Sequence, residues 1–100
     1  HENGFKNLTQ LSNLDLSNNQ IEILTSLLFR DMENLEDLKL RFNKIREVED
    51  FSFVHLKNLL YLDLSFNFIK NLSTNFFKGL INLILLNIIN KLFTVLTNEF

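Results

Sequence analysis

Leucine recurs along this chain in a short alternating phrase, Leu-x-Leu, whose middle position is charged. It reads Leu14-Asp15-Leu16, then Leu38-Lys39-Leu40, then Leu62-Asp63-Leu64. Alternation of this kind has the period of a β-strand, with both leucines on one face and the middle residue on the other. Each phrase begins 24 residues after the last, at 14, 38 and 62. Leu11, Leu35, Leu59 and Leu83 keep the same step, as do Ile21, Ile45 and Ile69. The units open LSNLDLSNNQI (Leu11 to Ile21), LEDLKLRFNKI (Leu35 to Ile45), LLYLDLSFNFI (Leu59 to Ile69) and LILLNIINKLF (Leu83 to Phe93), the last being the least regular. A single unit cannot bury its own leucines. Stacking unit on unit buries them, with the strands forming a parallel sheet about 4.8 Å apart and stability arising as a sum over nearest neighbours.

The remainder of each unit stays in phase. Leu24, Val48, Leu72 and Leu96 share one position; Phe29, Phe53 and Phe77 share another; Met32, Leu56 and Leu80 share a third. Phe5 and Leu8 match Phe29 and Met32, so the register runs from Phe5 onward without insertion. The chain therefore divides into a partial repeat 1–10, repeats 11–34, 35–58 and 59–82, and an irregular partial repeat 83–100, all in one array. The phenylalanine column could line a ligand cleft, but the usual burial of this residue assigns it to the core as a spine inside the convex side.

Several positions recurring together at one fixed period resemble the leucine-rich-repeat family in its typical 24-residue form. Stretches such as LDLSNNQI and LDLSFNFI look most like Toll-like receptor ectodomains and related animal extracellular repeat proteins. The Gly and Pro that usually follow the Asn in the plant receptor form are missing here. The resemblance implies an α/β-repeat solenoid: a curved coil with short parallel strands on its concave face and an irregular or short-helical convex side. It also implies that Asn19, Asn43 and Asn67, where each strand turns away, form a structural asparagine ladder. The amide suits that role because it both donates and accepts hydrogen bonds; taken singly, each Asn would be read as a turn former. Lys91 holds this place in the fourth unit and cannot accept, so the ladder is expected to break there or to use Asn90. The family normally closes its ends with capping modules, and none is visible. The chain thus reads as a fragment of a longer solenoid, with self-association through uncapped ends as the alternative.

The outward strand positions form four columns on the concave face. They are Asn13, Asp37, Tyr61, Leu85; Asp15, Lys39, Asp63, Asn87; Ser17, Arg41, Ser65, Ile89; and Asn18, Phe42, Phe66, Asn90. The resemblance nominates this face and its flank for partner binding, which selects Asp15, Asp37, Lys39, Arg41, Phe42, Tyr61, Asp63 and Phe66. Lys39 between Asp15 and Asp63 reads as a surface ion ladder, worth about 0–1 kcal/mol per pair. The column neighbours of Arg41 are serines, which leaves its guanidinium available for an acidic partner. Tyr61, Phe42 and Phe66 beside an arginine have the composition of an interface hot spot; local packing at the turn is the competing reading for the two phenylalanines. Leu85, Ile89 and Ile84 give the fourth unit an apolar outer face, which suits a partner or the next part of a longer chain.

Composition narrows the partner. Ten Lys and Arg are scattered among twelve Asp and Glu, with net charge -2 and pI about 5.6. No basic face emerges, so nucleic acid is not the expected ligand; a protein or other macromolecule is. Without cysteine there is no disulfide framework, thiolate metal site or cysteine nucleophile. His1 and His55 lack metal-ligand spacing, Ser17 and Ser65 fall on the opposite side of the coil from His55, and Gly4 and Gly79 build no phosphate loop. No catalytic residue, metal or cofactor is expected. The apolar run from Gly79 to Val95 carries Asn82, Asn87, Asn90 and Lys91, too costly at bilayer depth for a membrane span. Asn7-Leu8-Thr9 and Asn71-Leu72-Ser73 are N-glycosylation sequons. With the repeat type they point to an extracellular or cell-surface recognition module of the receptor kind. The alternatives are a secreted matrix or adhesion protein and an intracellular scaffold.

Overall fold

A computed structural model describes residues 9–88. Four three-residue strands, β1 (Asn13–Asp15), β3 (Asp37–Lys39), β5 (Tyr61–Asp63) and β6 (Leu85–Asn87), form one parallel sheet in the order β1-β3-β5-β6. Between them lie the two-residue strands β2 (Ile23–Leu24) and β4 (Glu47–Val48), which pair with each other in a second parallel sheet. The register keeps the 24-residue step throughout: Leu14 faces Leu38, Leu38 faces Leu62, and Leu62 faces Leu86. This is the parallel-strand architecture of a leucine-rich-repeat solenoid, with little helix.

Burial follows the alternation. Leu38 and Leu40 are fully enclosed, as are Leu62 and Leu64, whereas Lys39 between the first pair is exposed. The equivalent residues of the first unit, Leu11, Leu14, Leu16 and Ile21, are only partly buried and pack on the edge of the same core. Units two and three, each with a described unit on either side, close their leucines as nearest-neighbour stacking produces.

Without proline, and with one glycine among the described residues, the convex side is built from tandem turns. Met32 N–H donates to Phe29 O, and Leu35 N–H to Met32 O; the next unit repeats the pattern with Leu56 to Phe53 and Leu59 to Leu56. Phe29 and Phe53 stack inside these turns at a centroid separation of 6.0 Å and 19° between planes. A third ring joins them from the next unit. Phe76, one residue ahead of Phe77, is buried and meets Phe53 edge-on at 5.3 Å and 86°. Phe76 lies in a 3-10 helix, Thr74–Phe77, with about three residues per turn. Phe5 lies outside the described residues, as do the side chain of Phe77 and the Asn90–Lys91 position of the ladder. Gly79 permits the tight approach of the third unit to the second. Its φ is +91°, and a Cβ added there would lie 2.4 Å from the carbonyl oxygen of Val54.

Because Phe53 sits between two rings with no exposed surface, Phe53→Ala is expected to lower the unfolding free energy by about 3–5 kcal/mol. Urea unfolding checks this; a change near zero would remove the aromatic column from the core.

Candidate functional site

The exit of each strand is set by asparagine. The Asn43 amide Nδ2 donates to Leu40 O of its own unit at 3.1 Å and to Leu16 O of the preceding unit at 3.0 Å, while its Oδ1 accepts from Ile21 N–H at 3.1 Å. Asn67 repeats the arrangement one unit later, with Leu64 O at 3.0 Å, Leu40 O at 2.9 Å and Ile45 N–H at 3.0 Å. Asn19 in the first unit is exposed and donates to Leu16 O at 2.8 Å. A second asparagine series joins the units on another side of the coil. Asn34, Asn58 and Asn82 donate to the carbonyls of Thr9, Glu33 and Lys57 at 2.6, 2.9 and 2.9 Å, each 25 residues back. Reading the sequence for its leucines passed over this series, although its signal is plain: Asn directly precedes Leu35, Leu59 and Leu83.

Fixed in pitch this way, the strands present their outward residues side by side. Tyr61 is exposed between Asp37 and Leu85, and Leu85 is exposed next to it on β6. Lys39 does not bridge Asp15 and Asp63 at ion-pair distance; the ion pairs run elsewhere. Lys39 Nζ turns back along its own strand to Asp37 Oδ2 at 3.1 Å, and Asp63 Oδ2 takes Arg41 Nε at 3.4 Å. Lysine's long stem reaches a same-face neighbour two residues away as easily as one on the next strand. Asp15 and Asp63 have a further task. Asp15 Oδ1 accepts the Ser17 N–H at 3.0 Å, and Asp63 Oδ1 accepts both the N–H and the hydroxyl of Ser65 at 3.0 and 2.6 Å. These bonds close the turn leaving the strand and draw Ser65 in, so it is buried rather than presented on the face. The Asp-x-Ser spacing in units one and three carried that information; unit two replaces it with Lys39 and Arg41.

Arg41 is therefore not left free by its serine neighbours. Its Nε is enclosed, at ion-pair distance from Asp63 but not aligned for a hydrogen bond. Its guanidinium carbon stands 5.4 Å from the centroid of Phe42 and 5.7 Å from that of Phe66. The two rings lie parallel, 4.5 Å apart and 5° from coplanar, and Phe42 keeps 46% of its surface exposed. Both residues have left-handed backbones, φ 55° at Phe42 and 58° at Phe66; Asn18 occupies the same repeat position at φ 62°. Asparagine adopts that region readily and phenylalanine does not. Each such residue costs on the order of 1–3 kcal/mol. Stacking returns about 0.5–1.5 kcal/mol and a surface cation–π contact about 0.5–1 kcal/mol. The two residues together cost about 2–6 kcal/mol, which matches or exceeds a gain of about 1–2.5 kcal/mol, so the rings give the coil no net stability. The backbone is kept in place across units instead, by Asn18 N–H on Arg41 O at 2.9 Å and Phe42 N–H on Ser65 O at 3.2 Å.

Chemistry elsewhere on the described surface is sparse. His55 is exposed on the convex side, and among the described residues no group of three or more His, Asp or Glu could hold a metal ion. Also among the described residues, no helix is long and apolar enough to cross a membrane. Asn71 is exposed; Asn7 lies outside the described residues. Ile81, Ile84 and Leu85 are exposed in the last described unit. Residues 1–45 and 33–93 match the family model of the leucine rich repeat. No curated protein matches the chain.

One carboxylate ties units two and three on the convex side. Asp50 accepts from the Ser73 hydroxyl and, at 3.3 Å, from the Asn75 amide, and these bonds hold its pKa below the ordinary value of 3.8. A depressed carboxylate contributes stability that is complete above its unfolded pKa, about 3.9, and is lost as pH falls through the lower folded value. Thermal unfolding followed from about pH 6 down to about pH 2 should show a steeper acid loss for the native chain than for Asp50→Asn; identical slopes would mean the tie is not formed.

Proposed function

The chain belongs to the leucine-rich-repeat family, and from that premise we propose that it is a non-catalytic recognition module that binds a protein partner across the concave face and its flank, in a Toll-like or related cell-surface receptor ectodomain. Leucine-rich repeats generally serve protein interaction and not catalysis. The observation that carries the reading for this chain is the Phe42–Phe66 pair beside Arg41. Strained backbone persists where surrounding structure over-determines it, and it gathers at functional positions. Here the strain yields two parallel rings, Phe42 exposed and Phe66 half-buried, and a guanidinium with an enclosed, poorly aligned donor. A partner side chain laid on Phe42 would bury apolar surface that the coil itself leaves open, and a partner carboxylate could reach the exposed part of the Arg41 guanidinium. Tyr61 and Leu85 extend the apolar surface along the sheet. Arginine and aromatic anchors of this kind dominate interface energetics.

The receptor assignment rests on the likeness of LDLSNNQI and LDLSFNFI to extracellular repeats and on the sequons at Asn7 and Asn71. A matrix protein or an intracellular scaffold would use the same face, and a measurement of mass separates the last of these. Natively purified protein whose mass falls on removal of N-glycans fits the extracellular readings; an unglycosylated chain of 11.9 kDa contradicts them. For the binding face, a photo-crosslinking residue placed at Tyr61 or Phe42 is expected to give discrete protein adducts on intact cells, with none from His55 on the convex side. Arg41→Ala should cut the adduct yield about tenfold, the loss of roughly 1.4 kcal/mol. Equal labelling from His55 would reject the concave face.

A further inference from the structure

The coil opens along one flank between its second and third units. Lys44 N–H bonds to Ile21 O at 2.9 Å, and Phe68 N–H repeats this with Ile45 O at 2.8 Å. The next rungs between units one and two, Arg46 N–H to Glu22 O and Glu49 N–H to Leu24 O, have no counterpart between units two and three among the described residues. Strand β4 is thus paired on one side only. Beside its free edge lies a groove of about 680 Å³ lined by Lys44, Arg46, Glu47, Val48, Phe68, Lys70 and Asn71. That size lies within the range of small-ligand pockets, about 300–1,000 Å³.

Three features say what fills it. Phe68 shows 52% of its surface, the ring open beside the groove. Arg46 is committed to Glu22 at 3.2 Å, but Lys44 and Lys70 have no ion pair among the described residues and remain as donors. Asn71, at the lip, has an exposed side chain with no hydrogen bond among the described residues, and it opens the sequon Asn71-Leu72-Ser73. The Ser73 hydroxyl bonded to Asp50 holds the segment after Asn71 against unit two.

We propose that this groove is the seat of an N-linked glycan carried by Asn71. The proposal rests on the extracellular reading given above. In the transfer, Asn71 Nδ2 forms a bond to C1 of the first sugar of a lipid-diphosphate-linked oligosaccharide. The bond from C1 to the diphosphate oxygen breaks, the lipid diphosphate leaves with the bonding pair, and the amide gives up one proton to a base of the transferring enzyme. No oxidant or reductant is needed. The step belongs to the chain before it folds, while the Ser73 hydroxyl is not yet engaged by Asp50. On folding, the apolar ring face of the first N-acetylglucosamine lies on Phe68, and its acetamido and hydroxyl oxygens accept from Lys44 and Lys70. A peptide strand added to β4 is the weaker occupant, because that edge is only two residues long, Glu47–Val48.

The test directs the 100-residue chain through a eukaryotic secretory pathway behind a cleaved leader, so that its outcome does not depend on where the native protein resides; native location is decided separately by the mass measurement above. Peptide mapping should find Asn71 modified. After trimming to a single N-acetylglucosamine, the unfolding midpoint should stay roughly 3–6 °C above that of Asn71→Gln, a shift readable for a chain of this size. In Phe68→Ala, or in Phe68→Leu, which keeps apolar bulk without the ring, the same comparison should shrink to about 1 °C or less. An unmodified Asn71 in the secreted chain would overturn the proposal. So would a modified Asn71 whose stabilisation is unchanged when the Phe68 ring is removed, since the glycan would then project into solvent.

Discussion

A side-chain amide shared between two turns of the coil is the bond on which the rest of this structure depends. Asn67 donates to a carbonyl of its own unit and to one of the unit before, and accepts a backbone N–H from that earlier unit. It does so buried, at 4% exposure. A strand of three residues cannot turn away from its sheet without leaving carbonyls unmet inside the coil, and each unmet buried group costs about 1–3 kcal/mol. Asparagine is suited because one planar group meets both donor and acceptor needs at once. Lying between units, it also sets the spacing at which the leucines of one unit meet those of the next. The second series, Asn34, Asn58 and Asn82, sets the same spacing on another side.

With the pitch fixed by backbone carbonyls and internal amides, the outward residues are released from structural duty, and they differ accordingly. Where Asp precedes Ser by two, as in units one and three, the carboxylate closes the turn and the face is quiet. Unit two gives up that device for Lys39 and Arg41, and its turn carries Phe42 in place of the Asn18 of unit one. Phe66 extends the change into unit three, where Arg41 also borrows Asp63. The face is thus most altered at the junction of units two and three. The flank groove opens at the same junction, so both candidate surfaces fall where consecutive coils depart from strict repetition.

Much of the architecture was legible in the sequence because a repeat repeats its buried positions. The period of 24 and the Leu-x-Leu alternation fix which residues face which across the strands, and the observed pairing of Leu14, Leu38, Leu62 and Leu86 follows from them. What the period could not carry was anything decided by side-chain reach or local backbone geometry. Phe76, one residue off the repeat register, meets Phe53 from a 3-10 turn. Lys39 and Arg41 chose partners by stem length and direction, not by column. Ser65 turned inward because a carboxylate two residues away could capture it. The left-handed backbone of Phe42 and Phe66 was foreshadowed by Asn18, a residue at home in that conformation, at the same position. The flank groove comes from backbone rungs that are not made between units two and three, and no residue pattern announces a bond that is missing.

Under the proposed function, Phe42 and Phe66 are a binding device held against backbone preference rather than a structural pair. Replacing both with asparagine, as unit one already has at position 18, tests that most directly. The unfolding free energy of Phe42→Asn/Phe66→Asn, measured in urea, should equal or exceed that of the native chain, because relief of about 1–3 kcal/mol at each left-handed residue matches or outweighs the lost stacking. A loss of about 2 kcal/mol or more would show that the rings hold the coil together, and the stacked pair would no longer mark a partner's site.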